Sequence, residues 1–189
     1  MRHVFFPTSG LVSLLTVMQD GDSIELATIG REGFTGLSVF FGADVATSRG
    51  IVQVPGEAFR ISAERFRHHI PRCPGLQSAL AAFAEMLFAL VAQTTACNQL
   101  HPVSQRLARW LLLTHDRAEQ DDFPMTQEFL SQMLGVHRPT VSVAAAALQN
   151  TGIIQYRHGK MRVLDRPALE ATACECYATI QRQSDRLAP

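Results

Sequence analysis

Residues 123–152 read FPMTQEFLSQMLGVHRPTVSVAAAALQNTG, a pattern that predicts two short helices around a tight turn. Thr126 can cap the first by accepting from its free backbone N–H groups, and Glu128 suits the positive end of the helix dipole. Leu130, Met133 and Leu134 fall on one apolar face. Gly135 stands where a left-handed residue ends the helix, and Val136 returns to the core. Pro139 is comfortable only in a first helical turn, so a second helix starts beside it. Val141, Ala144, Ala145 and Leu148 recur at helical spacing as its buried face, and Gly152 closes it.

Counted from Gln127, the apolar residues stand at positions 4, 8, 10, 15 and 18 (Leu130, Leu134, Val136, Val141 and Ala144). The small Ser131 is position 5 and Gly135 position 9. This is the spacing of a DNA-binding helix-turn-helix, in which the small residue and the glycine let the helices cross closely. An ordinary αα-hairpin in a helical core would share much of the pattern. The residues after Gly152 weigh against it. Residues 153–157 (IIQYR), His158-Gly159 and residues 160–164 (KMRVL) predict a β-hairpin with a short glycine turn. A hairpin directly after the second helix makes the unit a winged helix.

The whole chain of 189 residues can hold one large domain or two small ones. Hydrophobic content of 47% and charged content of 18% describe a globular protein, and the formal net charge is zero. Charge is local instead. Between residues 135 and 166, Arg138, Arg157, Lys160, Arg162 and Arg166 face a lone acid, Asp165, whereas residues 116–128 are acidic. A neutral protein with a basic recognition face fits selective binding with weak non-specific adhesion. The start lacks the charged and apolar regions of a signal peptide, and no uninterrupted apolar run reaches membrane-span length. Four cysteines (Cys73, Cys97, Cys174, Cys176) do not make a disulfide scaffold, so the expected location is the cytoplasm, with no membrane partner.

Upstream, residues 4–61 read as short strands between turns at Asp20-Gly21-Asp22, residues 30–33 and Pro55-Gly56, the pattern of a β-barrel or jelly roll. Ser62 is a candidate cap for a short helix over residues 62–69. In residues 76–100, 17 side chains are apolar and Glu85 is the only charge. Leu76, Leu80, Phe83, Leu87, Leu90, Thr94, Cys97 and His101 recur at alternating spacings of four and three, a heptad seam about 39 Å long. This predicts a dimerisation helix whose uncharged flanks also pack on the β-domain; a helix buried inside a monomer is the competing reading. After Pro102 a helix over residues 103–116 joins it to the winged helix. Pro167 opens a last helix with Leu169, Ala173, Cys176 and Ile180 on one face, and a frayed tail is expected from Gln183.

Catalytic and metal readings find little support. Cys174-Glu175-Cys176 invites a metal, but on a helix residues two apart point about 200° from each other, so one zinc cannot readily take both. A jelly-roll metalloenzyme needs clustered histidines on facing strands, and residues 4–61 contain none. His68-His69 read as a solvated pair. No glycine-flanked nucleophile and no phosphate loop is present, so an enzyme is not expected.

In outline over the whole chain, and most strongly at GVHRPTVSVAAAALQNTGIIQYRHGKMRV (residues 135–163), the sequence resembles the Crp/Fnr-type transcription regulators. The resemblance implies an α+β protein: a partial, jelly-roll-like β-roll sensor over residues 1–74, a dimerisation helix over 75–101, a winged-helix DNA-binding domain over 102–180 and a tail over 181–189. The family's sensor normally starts several strands earlier, so the likeness is to a member with a shortened barrel. The implied partners are double-stranded DNA, a second copy of the chain and RNA polymerase. Cyclic-nucleotide-binding members carry Gly-Glu and Arg-Ser/Thr pairs, where this chain has Gly36-Leu37 and Thr47-Ser48, and strand alternation turns Arg49 away from position 48. Iron–sulfur members need N-terminal cysteines, and none precedes Cys73. The expectation is therefore no cofactor. Arg138 matches the family's first recognition-helix arginine, while Pro139 and Val143 stand where a glutamate and a second arginine are usual, which implies a different operator. His137, Arg138, Thr140, Ser142 and Val143 are expected on the reading face of the helix, and Arg157, Lys160 and His158 on the wing near phosphates. A ligand- or protein-binding module that uses its winged helix for protein contacts is the alternative from another class.

Overall fold

The computed structural model describes residues 1–118, 120–157 and 159–185. In β2 (Leu11–Val17) the buried Leu11, Ser13 and Leu15 alternate with half-buried neighbours, the period-two pattern of a strand with one well-covered face. β2 is the centre of an antiparallel sheet, between β3 (Ser23–Ile29) and β4 (Arg49–Val54). β1 (His3–Pro7) pairs with β5 (Ala58–Ser62) in a second, two-stranded sheet, with His3 opposite Ser62 and Pro7 opposite Ala58. A one-turn helix, α1 (Leu37–Phe40), lies between β3 and β4. The N-terminal part is thus a small β-roll, as its turn spacing predicts. Ser62 caps α2 (Ala63–His69), accepting from the Arg65 N–H.

Helix α3 (Pro74–Leu100) carries proline in its first turn. It is long and apolar enough to cross a membrane, yet its large side chains have a destination inside the protein. Leu80, Phe83, Met86, Leu87 and Leu90 pack with Val4, Ile29, Phe34 and Phe66 of the β-roll and α2. The Phe34 and Phe83 ring centroids are 5.3 Å apart. Gly33 makes this approach possible, because a Cβ there would lie 2.1 Å from the Phe83 ring.

This packing corrects the expected dimer seam. Leu80, Phe83, Leu87, Leu90 and Cys97 are buried within their own protomer, Thr94 is half-buried beside Arg109, and only Leu76 is exposed. The reason is physical. A heptad names apolar positions without saying what covers them; the β-roll and α2 cover Leu80, Phe83, Leu87 and Leu90, and Cys97 packs on Cys174 and Cys176. The outward face carries Ala81, Glu85, Phe88, Ala92, Thr95 and Gln99, spaced by the same four and three, with Phe88 75% exposed.

A second core surrounds α4 (Val103–Ala118), whose Leu107, Leu111 and Leu112 meet Leu130 and Leu134 of α5 (Gln127–Leu134) and Val141 and Leu148 of α6 (Arg138–Asn150). The hairpin β7 (Ile154–Arg157) and β8 (Lys160–Val163) comes directly after α6, and β6 (Asp122–Pro124) adds a third strand beside β8. The last helix of the sequence reading is in fact two, α7 (Arg166–Thr172) and α8 (Cys176–Asp185). Ala173 turns extended between them (φ −69, ψ 155) although no glycine or proline marks the break. Helix α8 also runs past Gln183, where a frayed tail was expected, to Asp185.

The β-roll and the winged helix share a buried polar seam. The Glu25 carboxylate accepts the Trp110 indole N–H at 2.7 Å, and Gln53 accepts from Ser13 at 2.7 Å while donating to Thr114 at 3.1 Å. Burial pushes the Glu25 carboxyl up to about 7, against the opposing pull of its hydrogen-bond donors.

Candidate nucleic-acid interface

The turn between α5 and α6 forms by the local rules its residues predict. Thr126 Oγ1 accepts from the Phe129 N–H at 3.0 Å, and Gly135 is left-handed at φ 60. A Cβ on Gly135 would also lie 2.5 Å from Ile24 Cδ1, so the glycine serves the domain contact as well as the turn. Pro139 sits in the first turn of α6 behind His137. Val141, Ala144, Ala145 and Leu148 are buried, which rotates His137, Arg138, Thr140 and Val143 outward. Val143 is 72% exposed, a large apolar side chain left outward on this helix.

Ser142 is the exception among the expected reading residues. It is half-buried, with Oγ 2.9 Å from Gln127 Oε1 and 3.0 Å from the Arg138 carbonyl, so its hydroxyl is occupied within the motif. It braces α6 against α5.

On the wing, Arg157 and Lys160 are exposed and stand directly opposite each other across β7 and β8. Like charges in a cross-strand pair repel, and an anion between them relieves the repulsion. Neither has an ion pair among the described residues. The other two cations of the basic stretch are engaged. Arg162 forms a two-pronged pair with Asp122, which holds that carboxyl below its usual range. Arg166 bonds Asp116 at 2.6 Å and Glu170 at 2.9 Å. His158, also expected on the wing, lies outside the described residues.

The β-roll encloses a cavity of about 650 Å³. Gly36, Leu37, Thr47 and Ser48 all line it, so the structure brings together the four positions singled out from the sequence. Among the described residues Glu57 is the only charged side chain in its wall, and Arg49 is not part of it.

The sequence reading missed one constellation: Cys97, His101, Cys174 and Cys176 converge at the end of α3. Cys174 and Cys176 would point apart only on a continuous helix, and the break at Ala173 removes that constraint. The available signal was Cys97 and His101, four apart on one helical face.

Two protein families match the chain: the cyclic nucleotide-binding domain over residues 1–72 and the Crp-like helix-turn-helix domain over residues 105–172. No curated protein matches it. Among solved structures, FixK2 from Bradyrhizobium japonicum has a TM-score of 0.72 at 16% identity, covering 92% of this chain and 88% of its own. A Crp/Fnr-family regulator from Thermus thermophilus has a TM-score of 0.71 at 21% identity, covering 90% and 87%. A structure described as a crp/fnr-family regulator from Eubacterium rectale has a TM-score of 0.70 at 18% identity, covering 95% and 80%. At these identities the likeness is one of fold.

Proposed function

The chain belongs to the Crp/Fnr family of transcription regulators, and from that premise we propose that it binds a near-palindromic DNA operator as a homodimer. The observation that carries this reading is the outward face of α6, where Arg138 stands exposed at the first position of the helix. An arginine there reaches the major groove and fits the O6 and N7 of guanine with its two-pronged guanidinium. Arg157 and Lys160 meet phosphates to either side of the wing tip. The dimer forms through the outward face of α3, with Ala81 and Ala92 allowing close approach around Phe88, and it sets the two half-sites about 34 Å apart. The partners are DNA, a second copy of the chain and, at promoters, RNA polymerase; the place of action is the cytoplasm.

The β-roll cavity supports a response that does not use cyclic AMP or cyclic GMP. The Leu37 side chain offers no acceptor to a ribose hydroxyl, and the Thr47 side chain brings no charge to offset the desolvation of a cyclic phosphate.

Selection of bound sequences from random duplex at low salt, read by mobility shift, tests the DNA reading. The expected result is a two-fold-symmetric site. Failure to enrich any sequence would leave the winged helix as a protein-contact module. Phe88→Asp tests the dimer: the variant should stay folded, sediment as a monomer at micromolar concentration and lose tight binding to the full site.

A further inference from the structure

The last turn of α3 and the junction of α7 with α8 bring three sulfurs and one imidazole to a point. Cys97 Sγ lies 3.5 Å from Cys174 Sγ, and Cys176 Sγ lies 3.6 Å from His101 Nδ1. All four ligand atoms fall within 4.8 Å of one another, and all three cysteines are buried. We propose that Cys97, His101, Cys174 and Cys176 form a tetrahedral Zn²⁺ site that ties the dimer helix to the end of the winged-helix domain.

The sulfur–sulfur separation of 3.5 Å and the sulfur–nitrogen separation of 3.6 Å lie near those a single small ion sets. With Zn–S near 2.3 Å and Zn–N near 2.0–2.1 Å, a tetrahedron sets its sulfurs about 3.8 Å apart and sulfur and nitrogen about 3.6 Å apart. An iron–sulfur cluster divides its protein ligands over two or four irons and so spreads the set wider than a single ion does. Three thiolates with one imidazole are a soft set that favours zinc over magnesium or calcium. Four protein ligands leave no open position for water, so the site is structural rather than catalytic.

The surroundings point the same way. His101 Nε2 lies 3.2 Å from Glu175 Oε1, which turns Nδ1 toward the sulfurs. A carboxylate behind the ligating imidazole is the usual outer partner at such sites. Gln93 Nε2 donates to Cys176 Sγ at 3.0 Å, so the sulfur already has an outer hydrogen-bond partner that orients it. Arg109 is buried, its Nε meets no acceptor, and its charge acts on Cys97. It has no ion pair among the described residues. Zn²⁺ with three thiolates and a neutral imidazole carries one net negative charge, which supplies that arginine with a counterion. On binding, the three thiol protons pass to solvent, and no electron is transferred.

Cobalt(II) titration of the full chain, purified reduced and metal-free, tests the site, because Co²⁺ takes zinc's positions and absorbs visible light. The expected result is one Co²⁺ per chain, with intense tetrahedral d–d bands and a thiolate charge-transfer band that Zn²⁺ bleaches. Cys176→Ser and His101→Ala should each weaken binding at least tenfold, whereas Cys73→Ser, whose thiol is exposed and outside the cluster, should not. Zn²⁺ should raise the thermal midpoint of the unaltered protein by about 5 °C or more, and that of Cys176→Ser by much less. The unaltered protein decides the matter even if a variant misfolds. A weak octahedral spectrum would overturn the proposal, as would binding unchanged by Cys176→Ser. So would a Cys97–Cys174 disulfide found by mass spectrometry in protein never exposed to oxidant.

Discussion

Helices α3 and α6 each bury one face in their own protomer and turn the other outward, but the two outward faces differ in kind. On α3 the outward row is Ala81, Glu85, Phe88, Ala92, Thr95 and Gln99, small or apolar apart from one acid and one amide. On α6 it is His137, Arg138, Thr140 and Val143, led by a cation at the helix start. The inward faces are alike in being largely apolar and closely packed within the chain. The contrast teaches that helical periodicity locates a buried face, while the residues opposite it tell what the helix is for.

Neighbouring residues on α3 give the largest expected effect. Leu87 is 4% exposed and Phe88 is 75% exposed. Leu87→Ala should destabilise the protomer by about 2–5 kcal/mol, as a buried leucine does when it leaves a cavity. Phe88→Ala should leave protomer packing intact and alter only the concentration dependence of unfolding. Urea unfolding of both variants at several protein concentrations measures this. Equal, concentration-independent losses would erase the distinction between the two faces.

The buried carboxyl of Glu25, on β3, has a folded value of about 7, above its ordinary 4.5. The folded state therefore keeps the proton longer than the unfolded state does. Stability is full below the ordinary value, falls as pH rises from about 4.5 to about 7, and then levels, a total on the order of 3 kcal/mol. Glu25→Gln should flatten that slope in urea melts taken across the window. An unchanged slope would show that another group carries it.

For the outward face of α6, Arg138→Ala should cost about 1–3 kcal/mol on the selected operator and little on a scrambled duplex. Equal losses on both would make Arg138 a phosphate anchor. The smallest effect is expected on the wing. Lys160→Ala should weaken all sequences alike and lower the slope of log affinity against log salt by roughly one per chain. Affinities on both duplexes across a salt series check the two variants together.

The winged helix was legible because its signals are local. Thr126, Gly135 and Pro139 each act within one turn of backbone, through a cap, a left-handed dihedral and a fixed φ. Ser142 was read as exposed because spacing alone does not show that Gln127 of the neighbouring helix comes within 2.9 Å. The break after α7 was illegible for a related reason. Ala173 has no intrinsic preference for the extended backbone it adopts there.

The sequence by itself determined the helix-turn-helix with its wing, the turn-spaced strands of the β-roll and the long apolar helix after it, while Gly36, Leu37, Thr47 and Ser48 were singled out through the family resemblance. It did so because caps, turns and apolar periodicity are properties of a few consecutive residues. Only the tertiary structure decided which face of α3 the β-roll covers and which it leaves outward. It alone brought Cys97 to Cys174, 77 residues away in sequence. Burial is set by which apolar surface arrives against a face, and that depends on elements far along the chain.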